Sequence, residues 1–271
     1  MKSFSFFFAA FFLVNQASSQ SLGKSLNIKL NKKAQRLIYE QNKMFDTIIV
    51  VAKDIPHNID GETSINHDTA TISYSKESKL TSELLIHEYF HLKLITDGYP
   101  EFYRSFLQSK KNPIINEEQQ YINNWVGYFA NLLKHYFFFS DMNKIGYNPY
   151  HFLSKNLDSW IQSGNIPHQI SDDVLGFTLI QILVETGDTV RVEKFKKLLR
   201  IKYSSTGIKL GEELIRVIQS EKTTIDSVQK KLVELLNIFF RNKYLVSIAE
   251  TREKKYKRFK RPVVIISFKK I

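Results

Sequence analysis

The stretch Thr81-Ser82-Glu83-Leu84-Leu85-Ile86-His87-Glu88-Tyr89-Phe90-His91-Leu92-Lys93-Leu94-Ile95-Thr96-Asp97-Gly98 decides how the rest of the chain is read. Thr81 or Ser82 can cap a helix start, Glu83 suits its first turn, and Asp97-Gly98 with Pro100 beyond supplies a stop. The spacing therefore predicts one long helix. Within it His87-Glu88-Tyr89-Phe90-His91 has the form HExxH. Residues four apart share a helical face, so both imidazoles can reach one tetrahedral zinc ion, and Glu88 beside it can take a proton from a bound water. Leu84, Leu94 and Ile95 fall on the same face, which makes it an apolar wall interrupted by two imidazoles.

Around this helix the sequence predicts an α+β fold. An amphipathic helix is expected over about Lys29 to Gln41, a buried strand at Thr47-Ile48-Ile49-Val50-Val51-Ala52, and a half-exposed strand at Thr69-Ala70-Thr71-Ile72-Ser73-Tyr74. Pro56, Asn58, Asp60-Gly61 and Asn66-His67-Asp68 mark loops or hairpin turns between the two strands. Ile115, Ile122, Val126, Phe129 and Leu133 recur at three-to-four spacing and predict a helix from about Pro113 to Phe138. Trp125, Tyr128, Phe129 and the run Tyr136 to Phe139 read as core. Four more helices are expected near Asp173 to Thr186, Thr189 to Lys202, Lys209 to Ser220 and Thr224 to Arg241. A short strand, Val263-Val264-Ile265-Ile266, follows Pro262.

A third ligand must complete the metal site. Lys93 and Leu94 stand where metzincins carry glycine and a further histidine, so that class is unsupported. The helix after Pro113 offers Glu117 and Glu118 in its first turn. Glu117 heads a polar stripe through Gln120, Tyr121, Asn124 and Tyr128 and is preferred; Glu118, on the apolar side with Ile122 and Trp125, is the alternative. Either acid also suits a helix N-terminus. His57, His67, His135, His151 and His168 read as scattered surface histidines.

HEYFH followed by Ile115-Asn116-Glu117 resembles the gluzincin zinc metallopeptidases, in which a downstream glutamate completes the site. Leu175-Gly176-Phe177-Thr178-Leu179, Thr186-Gly187-Asp188 and Phe195 to Tyr203 look like the helix pair that follows the active site in aminopeptidase-N-like members. The resemblance covers roughly residues 69 to 204. It implies a zincin-like core, with a small sheet beside the HExxH helix, a glutamate helix and a helical C-terminal half. It further implies one zinc ion on His87, His91 and Glu117, with Glu88 as general base and later proton donor in peptide-bond hydrolysis. No Gly-x-Met-Glu-Asn sequence precedes the helix. Asp173 stands where the family's oxyanion tyrosine is expected, leaving His151, Tyr147 or Tyr150 as candidates for that role. The alternative reading is a catalytically weak zincin-fold protein that binds a partner or an anionic envelope polymer.

Composition is consistent with a folded chain. The 271 residues carry 39 Lys+Arg against 27 Asp+Glu, a formal net charge of +12, and are 43% hydrophobic. The chain holds no cysteine, so disulfides, thiolate ligands and cysteine nucleophiles are excluded and His, Asp and Glu remain as ligands. Met1-Lys2 followed by the apolar run Phe4 to Val14 is too short to span a bilayer and has the length of a signal-peptide core. Ala17 and Ser19 predict cleavage after Ser19, hence export to a periplasm or the medium. The expected organisation is a leader over 1–19, a metallopeptidase core over 20–165, a helical subdomain over 166–250 and a basic tail over 251–271. Lys254-Lys255-Tyr256-Lys257-Arg258-Phe259-Lys260-Arg261 in that tail reads as a solvated terminus capable of weak anionic-surface contact. The expected partner is a peptide or protein substrate, and nucleic acid is not expected.

Overall fold

The computed structural model describes residues 12–14, 26–55, 61–77, 80–108, 111, 113–148, 159, 162–164, 170–202, 205–220 and 224–271. The elements run β1 (Phe12–Val14), α1 (Lys32–Asn42), β2 (Thr47–Lys53), β3 (Gly61–Asn66), β4 (Thr69–Ser75), α2 (Ser82–Thr96), β5 (Glu101–Leu107) and α3 (Asn116–Lys144). They continue with α4 (Asp172–Thr186), α5 (Thr189–Lys202), α6 (Ser205–Ser220), α7 (Val228–Phe239), β6 (Tyr244–Lys255) and β7 (Lys260–Lys270). The α+β class expected from the sequence is what the chain adopts. It forms two compact units: residues 1–96 with 142–148 and 255–260, and residues 97–141 with 149–254 and 261–271.

The first unit holds a sheet of order β1-β2-β4-β3. β2 and β4 pair in parallel from Thr47 opposite Thr69 to Lys53 opposite Ser75. Their apolar residues Ile48, Val50, Val51, Ala70 and Ile72 are buried. β3 returns antiparallel to β4 through the two-residue turn His67-Asp68, with His67 at a φ of 51°. His67 is thus an exposed turn residue, as expected. β3 itself, Gly-Glu-Thr-Ser-Ile-Asn, was not expected as a strand, because only Ile65 gives it apolar character. β1 falls inside the apolar run read as a leader; the rest of that run and the expected cleavage point after Ser19 lie outside the described residues.

Helix α2 packs against α1, β3 and β4 in this unit. Its start is fixed by Thr81, whose hydroxyl accepts from the Leu84 N–H at 3.1 Å, and its stop by Gly98 at a φ of 96°. Leu84 through Leu92, together with Leu94 and Ile95, are buried, so the helix is enclosed nearly all round. Helix α1 begins at Asn31, whose side chain accepts from Ala34 N–H at 2.9 Å. Gln41 near its end accepts from the Thr96 hydroxyl at 3.1 Å, tying the C-terminal ends of α1 and α2 together.

The second unit holds a sheet of order β5-β7-β6, in which β5 and β7 are parallel from Glu101 opposite Val263 to Leu107 opposite Lys269. Val264, Ile266 and Phe268 are buried at a period of two on β7. The segment read as a basic tail with a short strand is therefore two long strands, of 12 and 11 residues. β5 was not anticipated either: Glu-Phe-Tyr-Arg-Ser-Phe-Leu does not alternate cleanly. The four C-terminal helices are present, the last beginning at Val228 rather than Thr224.

The aromatic residues of α3 are core, as expected. Trp125 lies 4.3 Å from Phe239 and 5.3 Å from Phe177 between ring centroids, and Phe129 packs against the same two rings. Helices α4 and α6 cross closely where Gly176, Gly207 and Gly211 meet the facing helix. No helix among the described residues is long and apolar enough to cross a membrane.

Candidate metal centre

The HExxH residues lie within α2, as the sequence predicts, and all three are buried: His87 is 5%, Glu88 2% and His91 8% exposed. The Nε2 atoms of His87 and His91 stand 3.0 Å apart, with ring centroids at 4.7 Å and planes at 73°. Two nitrogens at about 2.0–2.1 Å from one tetrahedral zinc are separated by about 3.3 Å, so the imidazole pair has close to the span such an ion requires.

Glu88 is held from β3. The Thr63 hydroxyl donates to its Oε2 at 2.6 Å. Gly61, two residues earlier on the same face of the strand, has no side chain to compete for that space; a Cβ there would stand 2.7 Å from Oε1. A buried carboxylate needs polar partners of this kind.

His135 lies on α3, 6% exposed, and its ring stacks on Phe139 at 4.6 Å and 17°. Its Nδ1 faces Oε1 of Glu185 on α4 at 3.4 Å, and the same oxygen accepts from the Gln181 side-chain amide at 3.0 Å. His87 and His91 are both buried and their Nε2 atoms stand close enough to hold one metal ion.

Glu117 is exposed. Glu118 accepts from Lys270 Nζ at 2.6 Å and from the Ile115 N–H at 3.1 Å, and the Lys270 bond leads the effects that hold its carboxyl below the ordinary range. Glu117 and Glu118 both lie in the first turn of α3, where the sequence places them.

His135 was read as a surface histidine. The signal that identifies it is its place in the stripe Leu132, His135, Phe139 and Met142, whose three apolar members are buried. An imidazole interrupting an apolar helical stripe is the same feature that marks His87 and His91.

Of the expected oxyanion candidates, Tyr147 is committed elsewhere: its hydroxyl accepts from the Asn31 N–H at 3.2 Å, and burial raises its pKa. Tyr150 and His151 lie outside the described residues, as do His57 and His168. Asp173, at the position of the family's tyrosine, accepts from the Tyr121 hydroxyl at 2.5 Å.

The basic run read as a solvated terminus capable of weak anionic-surface contact makes ion pairs within each unit. In the first, Lys257 and Arg258 reach Asp46 at 3.0 and 2.8 Å, and the Lys257 N–H donates to Asp68 at 2.8 Å. Lys257 is the leading cause of the lowered Asp46 pKa. In the second, Lys254 and Arg261 flank Glu101, and Arg261 donates to the carbonyls of Tyr99 and Pro100.

Comparison with protein-family models, curated proteins and solved structures gives no match.

Proposed function

We propose that the chain is a zinc-dependent peptidase with His87 and His91 as ligands and Glu88 as general base. The observation that carries the reading is the pair of imidazoles one turn apart on a buried helix, with a carboxylate between them in sequence held by Thr63. The gluzincin resemblance implies Glu117, with Glu118 as the alternative, for the third ligand.

A zinc ion held there supplies Lewis-acid chemistry and lowers the pKa of a water to about 7. Glu88 then accepts the proton of the attacking water and returns it to the leaving amine. The Thr63 bond keeps the carboxylate in one rotamer while it does so. The leader reading adds export: cleavage after Ser19 removes β1 and leaves β2 at the edge of its sheet.

A second reading, a zinc-holding protein of low turnover that binds a partner or envelope polymer, is favoured by one observation. Asp173 occupies the position of the family's oxyanion tyrosine and is engaged with Tyr121.

Elemental analysis of the purified protein tests the site: one zinc per chain is expected in the wild type, and loss in His91→Ala and Glu117→Ala; retention in Glu117→Ala would turn attention to Glu118. Glu88→Gln should keep the metal and abolish cleavage of a peptide library. Cleavage surviving that substitution would overturn the mechanism. Stoichiometric zinc with no cleavage by the wild type would favour the second reading.

A further inference from the structure

We propose that the face of α3 carrying Tyr121, Asn124 and Tyr128 docks a cationic peptide segment, whose Lys or Arg side chains lie on the two tyrosine rings and pair with Asp173 of α4. This surface belongs to the second unit alone. It goes beyond the metal site and does not depend on it.

Tyr121 is 36% and Tyr128 49% exposed, and Asn124 between them is exposed as well. The two tyrosines stand two helical turns apart on one stripe, about 10.5 Å along the axis. Trp125 is buried behind them and meets both edge-on, with ring centroids 6.3 Å from Tyr121 and 5.5 Å from Tyr128. Phe177 of α4 supports Tyr128 at 6.0 Å. Each tyrosine is thus packed on one side and open to solvent on the other. The Tyr121 hydroxyl donates to Asp173 at 2.5 Å. Burial, and after it this bond, raises the pKa of Tyr121, so the proton stays on the tyrosine and the carboxylate remains an acceptor.

Charge selects the partner. The chain carries 39 Lys and Arg and a formal charge of +12, yet none of them falls between Asn116 and Leu133 of α3 or anywhere in α4, and these two spans hold five acids. Glu118 among them is engaged by Lys270, and Glu185 is buried. Asp173 pairs with no Lys or Arg among the described residues, and its bond from Tyr121 fixes it at the border of the aromatic face. A tyrosine ring attracts a cation over its face, and the apolar stem of a Lys or Arg can cover the ring while its head reaches a carboxylate. An acidic segment would meet Asp173 with like charge. An apolar one would cover Asp173 and Asn124 without giving them partners.

The test is calorimetric titration of the full chain with a blocked tetralysine peptide, in a Glu88→Gln background so that hydrolysis does not consume the probe. The chain as a whole repels such a peptide, so binding reports a local surface. Tetralysine should bind one to one and more weakly as salt is raised. Tyr128→Ala and Asp173→Asn should each weaken it about 2–5-fold, the double variant by the product, and Tyr128→Phe, which keeps the ring, should bind as the parent does. If Asp173→Asn fails to fold, Tyr128→Ala, at a half-exposed position, decides the matter alone. Absence of binding by the parent, or equal binding by the parent and the alanine variant, would overturn the inference. Sedimentation showing a dimer that Tyr128→Ala dissociates would overturn it as well, because the occupant would then be a second copy of this chain.

Discussion

The hydroxyl of Thr63 donates a 2.6 Å hydrogen bond to the Glu88 carboxylate, joining strand β3 to the middle of helix α2. Together with the close approach of Gly61 to the other oxygen, this makes β3 the support for the one acidic residue of the HExxH sequence.

Thr63→Val keeps the side-chain shape and removes the donor. A hydrogen bond to a charged group contributes about 1.5–3 kcal/mol, so peptide hydrolysis should fall about 10- to 100-fold while zinc content stays at the wild-type level. Thr63→Ser should restore most of the rate. Loss of zinc in parallel with loss of rate would show that Thr63 supports the metal rather than the base.

Gly61→Ala would bring a methyl to 2.7 Å from Glu88 Oε1 and 3.0 Å from Leu84 Cδ1. The carboxylate must turn away, so activity should drop with zinc retained, and the fold should lose about 1–3 kcal/mol from overpacking. Steady-state kinetics and chemical denaturation of the same preparation measure the two effects separately.

Glu118 and Lys270 give an acid-dependent contribution to stability. The Lys270 bond, aided by the Ile115 N–H, lowers the folded-state pKa of Glu118. The contribution is therefore complete above the unfolded value, about 4.3, and is lost as pH falls through the lower folded value. Lys270→Ala should cost less than about 1 kcal/mol at pH 7, because the pair is partly exposed. The difference in melting temperature between variant and wild type should shrink from pH 7 to pH 3; a constant difference would assign the effect to packing of the lysine stem.

Gly211→Ala tests the crossing of α4 and α6. Its Cβ would lie 2.6 Å from Leu179 Cδ1 and 3.1 Å from the Gly176 carbonyl oxygen. A destabilisation of about 1–3 kcal/mol is expected in denaturant melts, with zinc affinity unchanged.

What the sequence revealed depends on how each element earns its burial. Helix α2 was legible because its caps, its stop and its two histidines coincide within one span, and the sixth to tenth of its residues carry the motif itself. β2 and β4 were legible because parallel, buried strands read as β-branched runs. β3 was not: its burial alternates between intermediate and exposed, and its value lies in Gly61 and Thr63, which look like turn residues. β5 and β6 were hidden for a related reason, since β6 buries little beyond Tyr244 and Val246 and its later half is charged. Local spacing was enough to put His87, Glu88 and His91 on one helix. The burial of His135 could be found only by asking why an imidazole stands in the stripe of Leu132, Phe139 and Met142.

The parallel pairing of β5 with β7 joins Glu101 to Val263 across 162 positions of chain. A ribosome adding roughly 5–20 residues per second needs about 10 to 30 s to cover that interval, during which Phe102, Phe106 and Leu107 have no strand to lie against. Pairing over such a separation is also slow once both strands exist. The second sheet can therefore close only after the last residues of the chain have been made.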